Sequence, residues 1–98
     1  MNINLDRQGG KLIVAITGRL DTITAPDFES AVNPVLNDVN ELVVDLKELD
    51  YISSSGLRAL VGAAKMMDGK GTMKVINPND VVMDIFMVTG LDGILNIT

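Results

Sequence analysis

Apolar strands alternating with amphipathic helices across 98 residues predict an α/β fold with a mixed, mostly parallel sheet of four to five strands. The expected order is β-β-α-β-α-β-α-β, with helices packed on the sheet. Two observations carry this expectation. Continuous apolar runs at Leu12–Thr17, Leu42–Leu46 and Thr72–Ile76 have the composition of strands in a parallel sheet. Stretches with apolar residues at helical spacing separate them.

Asn2, Asn4 and Asp6 alternate with Ile3 and Leu5, the period of a half-buried strand. Gly9-Gly10 reads as a turn joining it as a hairpin to Leu12–Thr17. The Leu12–Thr17 run reads as covered on both faces and ends at Gly18. Thr24-Ala25-Pro26-Asp27 announces a helix, with Thr24 as N-cap, Pro26 in the first turn and Asp27 at the positive end of the dipole. Ala25, Phe28, Val32, Val35, Leu36 and Val39 form its apolar stripe, and Pro34 predicts a kink one turn earlier. After the buried strand Leu42–Leu46, Lys47 to Ile52 reads as a short connection into a second helix. Its stripe is Leu57, Leu60, Val61, Ala64 and Met67, with Arg58, Gly62 and Lys65 opposite. Asp68-Gly69-Lys70-Gly71 stops it. Asn77-Pro78-Asn79-Asp80 caps a third helix with apolar Val82, Ile85, Phe86 and Val88, closed by Gly90 in a left-handed conformation. Leu95-Asn96-Ile97 reads as a short closing strand. No repeat or linker interrupts the chain, so residues 1–98 read as one domain.

A chain of this length buries roughly 60–65% of its unfolded surface, so the core must be efficient. At 47% hydrophobic residues and 3% aromatic, an aliphatic core is expected, with Met66, Met67, Met73, Met83 and Met87 as fillers. Without cysteine there is neither a disulfide framework nor a thiolate metal site, a composition suited to the reducing cytoplasm. No metal or cofactor is expected. A formal charge of −5 with no Lys/Arg cluster argues against nucleic acid. The N-terminus lacks the pattern of a secretory signal, and Leu12–Ile16, the longest apolar run, is too short for membrane insertion.

One stretch stands apart chemically: Leu49-Asp50-Tyr51-Ile52-Ser53-Ser54-Ser55-Gly56-Leu57. Three hydroxyls sit where a loop becomes a helix. Capping explains them, since serine is among the best N-cap residues. The same geometry also favours an anion, because a helix N-terminus presents unpaired N–H groups and a positive dipole end. A phosphate carried there would add about −1.5 to −2 charges at pH 7. There is no Gly-Lys-Ser/Thr of a P-loop. No histidine exists to activate a hydroxyl, so no catalytic residue is assigned and the chain is not expected to be an enzyme.

These residues resemble the phosphorylation loop of anti-sigma factor antagonists, the stand-alone STAS domains. Asp45-Leu46 precedes the loop at the expected place, and Gly18-Arg19-Leu20-Asp21 is similar to that family's Gly-x-Leu/Ile-Asp. Ile85-Phe86-Met87-Val88-Thr89-Gly90-Leu91, followed by Ile94, is similar to its closing helix and turn. The resemblance implies a cytoplasmic regulator that, unmodified, binds an anti-sigma factor that is also a serine kinase. Phosphorylation of a serine weakens the complex and a serine phosphatase resets it. The implied acceptor is Ser54, and Asp21, Ser53, Ser55, Gly56 and Arg58 are implied to form the phosphorylation loop and partner-binding face. Ser53 stands where the family has Asp. Two other readings remain open on the sequence: a STAS scaffold subunit of a transporter or stress-signalling complex, and a nucleotide-binding module. Asp21 fits either the partner face or the solvation of a turn, and Arg58 either approaches a phosphate or decorates a solvated face.

Overall fold

Five strands and three α-helices appear in a computed structural model describing all 98 residues. They are β1 (Asn2–Gln8), β2 (Lys11–Leu20), α1 (Ala25–Val32), β3 (Glu41–Asp45), β4 (Leu49–Ile52), α2 (Ser54–Met67), β5 (Thr72–Ile76) and α3 (Asp80–Thr89). The main sheet runs β1-β2-β3-β5, with β1 antiparallel to β2 and the other pairs parallel. The mixed, mostly parallel architecture read from the alternation of elements is therefore the one observed.

Residue parity explains where the core lies. Leu12, Val14 and Ile16 of β2, Leu42 and Val44 of β3, and Val75 of β5 are in register on one face and belong to a single apolar core. Phe28 and Val32 of α1, Leu60 and Ala63 of α2, and Val82 and Phe86 of α3 complete it from above. The helices thus cover one face. Ile13 and Ala15, on the other parity, are only half-buried, which corrects the expectation that Leu12–Thr17 is covered on both sides. Leu42, Val43 and Val44 are all buried, as that run predicts. At the sheet edge β1 is less buried than its alternation suggests, since Ile3 is half-covered and Leu5 exposed.

Several local expectations give way to tertiary structure. The segment Lys47–Ile52 is not a plain connection: Leu49–Ile52 forms β4, parallel to the end of β2. It can do so because β2 continues past Gly18 to Leu20, with an irregularity in register at Gly18/Arg19 and Gly18 at φ +99°. β3 pairs with β2 only along Lys11–Ala15, leaving Gly18–Leu20 free for β4. Pro34 does more than kink the first helix. The α-helix ends at Val32, and residues 33–38 continue as a 3₁₀-helix that still buries Leu36. Proline at this place lacks the N–H and crowds the carbonyl four residues earlier.

Thr24 does not cap α1 with its side chain. Its hydroxyl instead donates to the Arg19 carbonyl at 2.9 Å and accepts from the Asp21 N–H at 2.9 Å. In α2 the buried face includes Ala59 and Ala63, whereas Val61 and Ala64 are half-buried at its margin. Asn79 caps α3, accepting from the Val82 N–H at 2.8 Å, and Gly90 closes it at φ +75°. Val88 lies outside the core at 88% exposure, because it falls opposite Val82 and Phe86 on the helix. Met67 fills the core as expected, but Met66 and Met87 are exposed. The Leu95–Ile97 strand reduces to a single bridge from Ile97 to Val75, with Leu95 buried beneath it.

Candidate functional site

The serine turn joins β4 to α2, and the fold gives its three hydroxyls three different tasks. Ser53 has extended backbone and is the N-cap: its Oγ accepts from the Gly56 N–H at 3.4 Å, and its carbonyl accepts from Leu57 at 2.9 Å. Its own N–H donates to the Leu20 carbonyl at 2.9 Å, tying the turn to the end of β2. Ser55 lies 3.1 Å, hydroxyl to hydroxyl, from Thr22 in the loop between β2 and α1. Ser54, the first residue of α2, is exposed and its hydroxyl has no protein partner. The N–H groups of Ser54 and Ser55 lie in the first turn, where a helix has no acceptor for them.

Gly56 makes this arrangement possible. A Cβ there would meet the Leu20 carbonyl oxygen at 2.5 Å and Ile52 Cγ1 at 2.7 Å. Only glycine lets the start of α2 settle against β2 and β4 this closely. The anchoring stripe of α2 then fixes the direction in which Ser54 points, on the same solvent face as Arg58 one turn later.

Asp21 borders the turn as the hub of its own loop. Its Oδ1 accepts from the N–H groups of Ile23 at 3.0 Å and Thr24 at 3.1 Å, and Arg19 Nε lies 3.7 Å from Oδ2. The Thr24 N–H, with the Thr24 hydroxyl, the Ile23 N–H and the Arg19 charge, holds the Asp21 carboxyl below its ordinary range against a partial desolvation. Asp21 thus holds the Arg19–Thr24 turn in shape beside the serines. Arg58 lines a shallow depression of about 260 Å³ with Thr22, Pro26, Glu29 and Ser55.

The structure brings Ser53, Ser54, Ser55, Gly56 and Arg58 together and sets Asp21 on the adjoining loop. Four further residues of this surface were given no site role by the sequence reading. Thr22 reaches Ser55, and the Arg19 guanidinium lies 4.5 Å above the Tyr51 ring centroid. Ile23 projects at 82% exposure. A large apolar side chain left in solvent between a carboxylate hub and a helix N-terminus is the signal that would have drawn attention to this loop.

This face, a serine-capped helix start seated against two parallel strands, belongs to a STAS domain. Residues 2–98 match the STAS domain family, and the chain belongs to it. It is 32% identical to the anti-sigma-B factor antagonist of Bacillus subtilis, over 100% of this chain and 93% of that protein. The crystal structure of an anti-sigma factor antagonist from Mycobacterium paratuberculosis superposes with a TM-score of 0.90 at 25% identity, covering 98% of this chain and 83% of that one. The anti-sigma factor antagonist SpoIIAA in its unphosphorylated form shares the fold, with a TM-score of 0.85 at 17% identity over 99% of this chain and 88% of that one. No helix is long and apolar enough to cross a membrane.

Proposed function

We propose that this chain is an anti-sigma factor antagonist that binds an anti-sigma factor through the face around Ser54 and is released when Ser54 is phosphorylated. The observation that carries this reading is the division of labour among the serines. Ser53 is committed to the cap and Ser55 to Thr22, while Ser54 alone is exposed and unengaged. Similarity to the B. subtilis antagonist supports the partner class, and the SpoIIAA fold has also been seen in a phosphorylated form.

The chemistry follows from position. A phosphate on the first residue of α2 faces the unpaired N–H groups and the positive helix end, so the fold accommodates it, with a gain of about 0.3–1 kcal/mol. A partner packed on the same surface does not. It must desolvate a dianion, and any acidic group or nucleotide phosphate it presents is repelled. Ser53, in place of the family's Asp, keeps the geometric role, because serine and aspartate are comparable N-caps. What it gives up is a negative charge beside the acceptor, which a kinase can read. A serine kinase and an opposing phosphatase complete the cycle in this reading.

The test is phosphorylation by the anti-sigma factor kinase of the chain's own organism, with mass-spectrometric mapping and titration calorimetry of each form. One phosphate on Ser54, absent from Ser54→Ala, and at least tenfold weaker binding of the phosphoprotein are expected. Label that persists in Ser54→Ala overturns the residue assignment. Equal affinity of both forms overturns the switch, and tight binding with no labelling supports a scaffold role instead.

A further inference from the structure

Arg58 is exposed on α2 and has no counter-ion. The ion pairs of the chain are Arg7–Asp38 and Arg19–Asp21, and the first turn of α2 holds no acidic residue. Along its own helix Arg58 has Ser54 and Ser55 one turn before it, Val61 and Gly62 one turn after it. The Ser55 hydroxyl is engaged by Thr22, and Val61 and Gly62 carry no side-chain acceptor. Ser54, whose hydroxyl has no partner, is the remaining neighbour on the helix from which an anion can meet Arg58.

We propose that Arg58 closes over the phosphate of Ser54 within the same chain and serves as its counter-ion. The inference rests on Ser54 as the acceptor, the reading given above, and adds what the phosphate meets once it has formed. Helix side chains lean toward the N-terminus, so Arg58 covers the turn that carries Ser54. At this spacing Cβ atoms lie about 5–6 Å apart, a gap that a phosphate and an arginine stem together span. The order is the favourable one, with the anion four residues before the cation. A guanidinium donates two parallel N–H bonds to phosphate oxygens, a geometry that a lysine ammonium does not supply.

The other charges near this turn do not replace Arg58. Arg19 is held between the Asp21 carboxylate and the Tyr51 ring. Glu29 of α1 lines the same depression as Arg58 but makes no ion pair with it, and a dianion with three acceptor oxygens outcompetes a single carboxylate. Asp21, Glu29, Asp50 of β4 and the free N–H groups of the first turn are the same in the parent and in each Arg58 variant, so their influence cancels between them. Phosphorylation then alters the face twice. It adds about −1.5 to −2 charges and withdraws a cation that the unmodified face presents to a partner.

Phosphoserine installed at position 54 of the full chain during translation tests the contact whether or not a kinase labels that residue. Phosphorus NMR across about pH 4 to 8 follows the second ionisation, which lies near about 6 for a phosphoserine. Arg58→Gln should raise that pKa by about 0.3–0.6 over the phosphorylated parent, with unchanged circular dichroism, because the arginine favours the dianion. Arg58→Lys should keep part of the effect, and Arg19→Gln should move the value by less than about 0.1. In the parent the Arg58 Nε–H resonance should titrate together with the phosphate, and high salt should shrink the difference between parent and Arg58→Gln. A pKa that Arg58→Gln leaves within about 0.1 of the parent, or that Arg19→Gln raises as much as Arg58→Gln does, overturns the inference. An Arg58 resonance that ignores the phosphate overturns it too, whereas a kinase that leaves Ser54 unlabelled overturns the acceptor assignment instead.

Discussion

Replacing Ser53 and Ser54 separately by alanine distinguishes a capping hydroxyl from a free one on the next residue. Ser53 Oγ satisfies the Gly56 N–H, and its loss exposes that donor at the mouth of a helix. N-cap serine to alanine costs about 0.5–2 kcal/mol. The 3.4 Å separation is longer than the usual 2.9–3.0 Å, which places Ser53→Ala near the low end, about 0.5–1 kcal/mol. In a domain of this size that lowers the melting temperature by roughly 2–8 °C. Ser54 has no intrachain bond to lose, and alanine is the better helix former, so Ser54→Ala should lie within about 0.5 kcal/mol of wild type. Ser54→Asp, one charge at the positive helix end, should be neutral or up to about 1 kcal/mol stabilising. Ser53→Asp should retain the cap. Urea titrations and thermal melts by circular dichroism measure all four. If Ser54→Ala destabilises as much as Ser53→Ala, the assignment of the cap is wrong. If Ser54→Asp melts far below wild type, loss of partner binding in that variant reports lost folding.

Two further outcomes follow from the same geometry. Gly56→Ala should destabilise by about 1–3 kcal/mol despite alanine's higher helix propensity, because its Cβ meets the Leu20 carbonyl and Ile52 at 2.5 and 2.7 Å. Gly62→Ala, with open space around the added methyl, should stabilise by about 0.4–1 kcal/mol, and urea midpoints of the pair decide it. Asp21, through the Thr24 N–H and its companions, and Asp38, through its bond with Arg7, both have carboxyls lowered from 3.8. A depressed folded pKa contributes stability above the unfolded value and loses it as pH falls through the folded one, so stability should drop below about pH 4. Asp21→Asn and Asp38→Asn should each flatten that decline in urea midpoints taken from pH 7 to pH 2.5; an unchanged slope would show that neither carboxylate carries it.

What the sequence by itself determined is the part governed by local chemistry. Apolar runs at Leu42–Leu46 and Thr72–Ile76 read as strands because β-rich apolar residues of that length bury on a parallel sheet. Asn79 and Gly90 marked the ends of α3 because capping and left-handed backbone have strong residue preferences. The serine turn was visible as a helix start for the same reason.

Tertiary structure decided what depends on neighbours distant in sequence. Leu49–Ile52 becomes a strand because β2 runs on past β3 and leaves Gly18–Leu20 unpaired, a fact no four-residue window contains. Thr24 gives up its cap because Arg19 and Asp21 offer its hydroxyl better partners. Val88 has the composition of a core residue, but only the placement of α3 on the sheet turns it outward. Which serine is free was likewise undecidable along the chain. Thr22 claims Ser55 from 33 residues away, Leu20 sets the approach of Gly56, and the hydroxyl left over is that of Ser54.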